Sequence, residues 1–185
     1  TASAIAETAI AENRLPTKRE FRRILRPKDS LTLVYPADKT TEAFYQTRIT
    51  AMNKNDRFGM NLKGIKETEL TAAHLANEIL IIIGNVANNT LLEKLQQDLP
   101  VDLQATSFVF DEKEYATKDA IFKLFPYPNP YNQALPIYLL TGNYKQAIQQ
   151  FLSDYYPEDL SRMMWSIWGY KVHQAGEMKV AGNLN

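Results

Sequence analysis

Two stretches of the chain combine residue types able to hold a ligand with a spacing that puts them on one edge of a sheet. Ile81-Ile82-Ile83-Gly84-Asn85 precedes Leu91-Leu92-Glu93-Lys94-Leu95, and Tyr138-Leu139-Leu140-Thr141-Gly142-Asn143 precedes Ala147-Ile148. Each reads as a buried strand, a Gly-Asn elbow and an amphipathic helix. Gly permits the tight strand-to-helix turn and close helix packing. Asn satisfies loop backbone donors or tolerates a left-handed conformation. In an open parallel sheet such elbows lie at the carboxyl ends of the strands, where ligands bind, and helix N-termini there favour anions. Pro36-Ala37-Asp38-Lys39-Thr40 forms a third elbow. The candidate ligand-binding residues are therefore Asp38, Thr40, Gly84, Asn85, Asn88, Thr141, Gly142 and Asn143. The plainer reading is the stronger one: Gly at such a turn serves geometry, and neither elbow has the Gly-x-Gly-x-x-Gly or Gly-Lys-Ser/Thr pattern of nucleotide sites.

Other chemistry falls away quickly, and no residue is assigned a catalytic role. The chain has no Cys, which removes disulfides, thiolate catalysis and Cys-based zinc sites. His74 and His173 are the only histidines and lie far apart in sequence, without a His-Glu-x-x-His pattern, so neither a metal site nor a cofactor is expected. No Gly-x-Ser-x-Gly nucleophile elbow occurs. Asp111, Glu112 and Glu114 cluster, but on a hairpin turn, where acids are normally solvated.

The elements that must position the elbows alternate along the chain. Leu31–Tyr35 reads as a strand, followed by a helix from Thr40 or Thr41 with Phe44, Tyr45, Ile49 and Met52 on adjacent faces. Gly59–Ile65 reads as a second strand, and Ile79–Ile83 as one covered on both faces. Asn89-Thr90 caps a helix over Leu91–Leu99. Short β segments follow within 106–125, with Asp111-Glu112-Lys113 as a hairpin turn, and the three prolines of Pro126–Asn132 favour an extended loop. Ile137–Leu140 is a buried strand and Lys145–Tyr155 a helix. Trp165–His173 and Met178–Val180 form a terminal hairpin joined at Ala175-Gly176. Trp165 and Trp168 would face opposite sides of a strand. The expected fold is α/β: a mainly parallel, Rossmann-like or flavodoxin-like sheet flanked by helices, with a small β excursion and a C-terminal hairpin.

Residues 1–28 differ from this body, which is expected to be a single domain over 29–185. Thr17 caps a short helix carrying Phe21, Ile24 and Leu25 on one face, surrounded by Lys18, Arg19, Arg22, Arg23, Arg26 and Lys28. It reads as an N-terminal arm or linker helix. Lys+Arg and Asp+Glu both number 21, so the chain has no net charge, which argues against a nucleic-acid binder. No apolar run approaches the roughly 20 residues that span a bilayer. The chain starts at Thr1, as a processed or excised piece would.

Asn77–Asn85, Asn88–Leu92 and Leu99-Pro100-Val101, continued by Phe108-Val109-Phe110, Tyr115, Tyr127-Pro128-Asn129-Pro130-Tyr131-Asn132 and Ile137–Asn143, resemble an accessory segment of bacterial exported hydrolases of the prolyl-oligopeptidase, esterase or peptidase type. The likeness covers about residues 58–155. Val86, Tyr131 and Gln133 depart from it, standing where Pro, Leu and Pro are usual. The resemblance implies a Rossmann-like accessory domain outside the cytoplasm, periplasmic or secreted, whose partner is a neighbouring domain or another protein. It carries over no catalytic residue. The alternative is a small-ligand domain binding an anion or nucleotide-like molecule at the elbows.

Overall fold

The structure, a computed structural model, describes residues 17, 19, 20, 30–54, 61–156 and 168–184. Its most deeply buried strand forms where five aliphatic residues run together, Ile79–Ile83. The strands are β1 (Ser30–Tyr35), β2 (Asn61–Lys66), β3 (Ile79–Ile83), β4 (Asp102–Leu103), β5 (Phe108–Phe110), β6 (Lys113–Tyr115), β7 (Ile121–Asn129), β8 (Asn132–Gly142), β9 (Tyr170–Gln174) and β10 (Glu177–Gly182). The helices are α1 (Lys39–Lys54), α2 (Ala72–Asn77), α3 (Thr90–Leu95) and α4 (Lys145–Tyr155). Short 3-10 turns follow β2 at Glu67–Glu69 and α3 at Gln96–Asp98, so the helix expected over Leu91–Leu99 changes pitch after Leu95.

The main sheet, among the described residues, has the order β10-β9-β7-β8-β3-β1-β2. β2, β1, β3 and β8 run parallel, whereas β7 is antiparallel to both β8 and β9, and β9 to β10. The sheet is therefore mixed, which corrects the mainly parallel, Rossmann-like expectation. The cause lies in residues 120–132. Ile121–Phe125 is part of the long strand β7, which enters the main sheet, and the small antiparallel sheet is β4-β5-β6 alone. The proline-rich stretch is strand and hairpin turn rather than an extended loop. Pro126 and Pro128 lie beyond Ile121–Leu124, the span over which β9 pairs with β7, so they interrupt no β7–β9 pair. The register of β7 on β8 shifts between Leu124 and Tyr127, and the Phe125-Pro126 peptide is cis.

Two apolar layers sandwich the sheet. The odd residues of β3, Ile79, Ile81 and Ile83, face α1 and α4 with Tyr45, Ile49, Met52, Ile148, Phe151 and Leu152. Leu80 and Ile82 face the other side, where α3 and the small sheet contribute Leu91, Leu92, Leu95, Phe108, Phe110 and Tyr115. The unbroken aliphatic run of β3 is buried throughout because both faces are covered, as its composition requires.

Polar side chains fix the ends of these layers. At the lower edge, Asn129 and Asn132 of the β7–β8 hairpin donate from Nδ2 to the carbonyls of Leu75 and Ala76, 2.6 and 2.7 Å away. They satisfy the last carbonyls of α2, which that six-residue helix leaves unpaired. The asparagines of the Pro-Asn-Pro-Tyr-Asn motif thus act as a helix clamp. His74 completes a capping box with Thr71 at the start of α2. Thr17 likewise exchanges bonds with Glu20, but the rest of the expected arm, and Trp165, lie outside the described residues. Trp168 precedes β9 and is half-buried.

The β5–β6 turn is formed by Asp111 and Glu112, with φ of 52° and 60°. That is the conformation of a two-residue hairpin turn, which Gly adopts without strain and a Glu side chain resists. Glu112→Gly is expected to raise stability by about 1 kcal/mol in urea unfolding, the rough cost of a left-handed L-residue. A loss of stability would show that Glu112 serves a contact instead.

Candidate functional site: the crest of the sheet

The three elbows do converge. They stand at the carboxyl ends of β1, β3 and β8, where they are joined by the β6–β7 loop and the β9–β10 turn. The geometry of each named residue decides what this crest is able to do.

Asp38 is the N-terminal cap of α1. Its Oδ1 accepts from the Thr40 N–H and the Thr40 hydroxyl, both at 2.8 Å, while its backbone carbonyl accepts from the N–H of Thr41 and Glu42. Its Oδ2 accepts from Lys145 Nζ at 2.6 Å, linking the first elbow to the first turn of α4. Lys145 also reaches Thr40 Oγ1, 3.2 Å away. These donors hold the Asp38 carboxyl down at about 2, Lys145 contributing most and Thr40 next.

Gly84 has φ of +148°, and a Cβ there would come within 3.2 Å of the Asn89 side chain. Only Gly fits the turn. Asn89 caps α3 by accepting from the Leu91 and Leu92 N–H groups, and its Nδ2 donates back to the Ile83 carbonyl at 3.3 Å. Asn88 Oδ1 accepts from the Asn85 N–H at 3.0 Å. At Gly142 the reason for glycine is close approach: a Cβ would lie 2.8 Å from the Ala120 carbonyl oxygen and 2.6 Å from Ile121 Cδ1. Thr141 is buried within β8 and pairs in register with Phe122.

Asn85 and Asn143 bind the elbows to one another. Asn85 Nδ2 donates to the backbone carbonyl of Asn143 at 3.1 Å. Asn143 Nδ2 in turn donates to the carbonyls of Tyr115 and Thr117 at 2.8 and 2.7 Å, and its own N–H meets the Ala120 carbonyl. Both asparagines are buried, and their Oδ1 atoms have no hydrogen-bond partner. An unpaired buried acceptor costs about 1–3 kcal/mol, so the donated bonds must outweigh it.

All eight sequence-derived residues thus lie on or next to the crest, and each has a structural task there. Sequence reasoning missed Lys145, whose bond to Asp38 spans 107 positions and leaves no local signal. It also missed the buried Glu67, whose Oε2 accepts from Thr90 Oγ1 at 2.6 Å. Asp119 was missed as well; its carboxylate accepts from Thr117 Oγ1 and the Ala175 N–H, tying the β6–β7 loop to the β9–β10 turn. No group of three or more His, Cys, Asp or Glu suited to a metal ion occurs among the described residues, nor does any helix long and apolar enough to cross a membrane.

Asn143→Ala removes the two Nδ2 bonds to the Tyr115 and Thr117 carbonyls and is expected to lower unfolding stability by about 1–3 kcal/mol; a change under about 0.5 kcal/mol would mean that the bonds contribute nothing net. Asp38 tests the other link. Its pKa falls from 3.8 to about 2 on folding, so its contribution is complete above pH 3.8 and is lost as pH drops towards 2. Asp38→Asn should therefore lower the melting temperature at pH 7, and the difference from the parent should close by pH 2. A difference independent of pH would contradict the charge pairing. Among known proteins, no family model matches this chain and no curated protein is significantly similar to it.

Proposed function

We propose that the chain is a non-catalytic accessory or interaction domain of a larger exported protein of hydrolase type. The observation that carries this reading is the crest. The polar groups at the strand ends, where an α/β protein would place a ligand, are bonded to neighbouring loops: Asp38 to Lys145, Asn85 to Asn143, and Asn143 to Tyr115 and Thr117. A site built for substrate holds such groups towards the ligand instead. The motif behind the family resemblance supports the same reading, because Asn129 and Asn132 clamp a helix end.

An anion at the crest is the less favoured alternative. The N-terminus of α1 would attract one, but Asp38 already supplies a carboxylate there and also occupies the ammonium group of Lys145. Neighbouring parts of the parent protein, or a separate protein, are the partners this reading implies.

The test is turnover. The isolated chain, at micromolar concentration with activated esters and dipeptide amides, is expected to match the buffer rate. Turnover that saturates with substrate and survives repurification would overturn the proposal.

A further inference from the structure

Among the described residues β2 is the outermost strand on its side of the main sheet. It pairs in parallel with β1, from Ser30 opposite Asn61 to Tyr35 opposite Lys66. The backbone groups of successive strand residues point alternately to one side of the strand and the other. Asn53, near the end of α1, marks which residues of β2 point away from β1. Its Oδ1 accepts from the Leu62 N–H and its Nδ2 donates to the Leu62 carbonyl, both at 2.9 Å. One side-chain amide thus makes the reciprocal pair of bonds that a residue of a neighbouring strand would make.

Gly64 and Lys66 follow Leu62 at intervals of two, so their N–H and C=O groups point outward as well. These groups have no backbone partner among the described residues, and Gly64 is exposed. The edge is therefore closed at Leu62 and open over the next two outward positions. Its side chains are not neutral to what pairs there. Lys63 is exposed and shares a face with Ile65, which packs on the apolar layer formed with α3 and the small sheet. Lys66 turns to the other face, where Glu42 holds its ammonium group at 2.8 Å. Lysines on an edge strand oppose indiscriminate pairing, including pairing with a second copy, and favour an acidic strand.

We infer that the outer edge of β2 takes up an extended segment of a partner polypeptide as an added strand, bonded to the backbone of Gly64 and Lys66. On the face of Lys63 and Ile65 that segment carries an acidic and a β-branched apolar residue, two positions apart. The inference rests on the interaction-domain reading and names the chemistry of the partner. Main-chain bonds give attachment, and the side chains on one face give selection.

Lys66 permits a direct test. Its φ of −70° is the angle proline holds, and its N–H points away from β1. Lys66→Pro therefore removes one outward donor and spares the β1–β2 ladder, while Lys66→Gln removes the same charge and keeps the donor. The experiment uses the full chain, with the Gly64 amide NMR signal as reporter. The probes are the capped peptide Thr-Glu-Thr-Val-Thr, its Gln counterpart, and the Glu peptide N-methylated at its three central residues. The Glu peptide is expected to shift the Gly64 amide saturably and to slow its exchange. It should bind Lys66→Pro at least about threefold more weakly than Lys66→Gln, the loss of one backbone bond. On the parent chain the Gln and N-methylated peptides should each lose at least about threefold as well. Should Lys66→Pro fail to fold, the N-methylated peptide on the parent chain decides. An unmoved Gly64 amide, or one already protected without peptide, would overturn the inference. So would equal binding by the two variants, or by any two of the peptides. Self-association that moves the same amide without peptide would assign the edge to a second copy and overturn it too. Absent turnover with absent peptide binding would remove this edge and leave the interaction-domain reading intact. Turnover with binding intact would do the reverse.

Discussion

Every strand that ends at the crest exposes backbone groups that must find partners away from water, and that constraint organises the upper half of the molecule. Asn143 is its hub. One side-chain amide satisfies carbonyls of the β6–β7 loop, while its own carbonyl receives Asn85 from the next elbow. Asp38, Thr40 and Lys145 make the corresponding connection between α1 and α4. Glu67 with Thr90 extends the chain of bonds towards the edge strand β2, and Asp119 extends it towards the β9–β10 turn. Loops that are far apart in sequence are therefore held as one surface. The sheet can carry two helices on one face and a helix with a small sheet on the other while most of its rim groups find partners.

The same constraint explains the mixed topology. A parallel strand needs a crossover, whereas β7 returns to β8 through a tight turn at Pro130-Tyr131 and then meets β9. β7 serves as a central strand over its first four residues and as an edge strand beyond them, with prolines confined to the second part. Its asparagines then find work outside the sheet, at the end of α2. Domain-level charge plays little part, since the positive and negative side chains balance. What matters is where charge is placed: at the crest the Asp38 carboxylate and the Lys145 ammonium group neutralise each other.

How much of this was legible in the sequence differs by element. β1, β3 and β8 were readable because an aliphatic run bounded by Pro, Gly or Asn has few alternatives, and the cap at Asn89 because its residue type and position coincide. The β9–β10 hairpin was readable from Ala175-Gly176, where both residues take positive φ. Strand direction was not, because the pattern Ile121–Phe125 suits a parallel, antiparallel or satellite strand equally well. Three prolines argued for a loop at 126–132, yet Pro126 and Pro128 sit in β7 beyond its pairing with β9, and Pro130 sits in the hairpin turn. The crest residues were found by type, yet the roles of Asp38, Asn85 and Asn143 depend on side-chain bonds between positions 26 to 107 apart that no local spacing encodes. Lys123 was invisible for the same reason, since its burial follows from the pairing of β7 with both neighbours.

Hydrogen exchange at the crest tests most directly whether its loops form one closed structural surface. The amides of Gly84, Asn88 and Asn143 donate to Leu140, Asn85 and Ala120 respectively. If the crest is a closed knot, these amides exchange only through the opening that also frees β3, with the same dependence on denaturant. Rapid exchange of the three amides under native conditions, while β3 stays protected, would show open loops of the kind a ligand site needs, and would contradict the account.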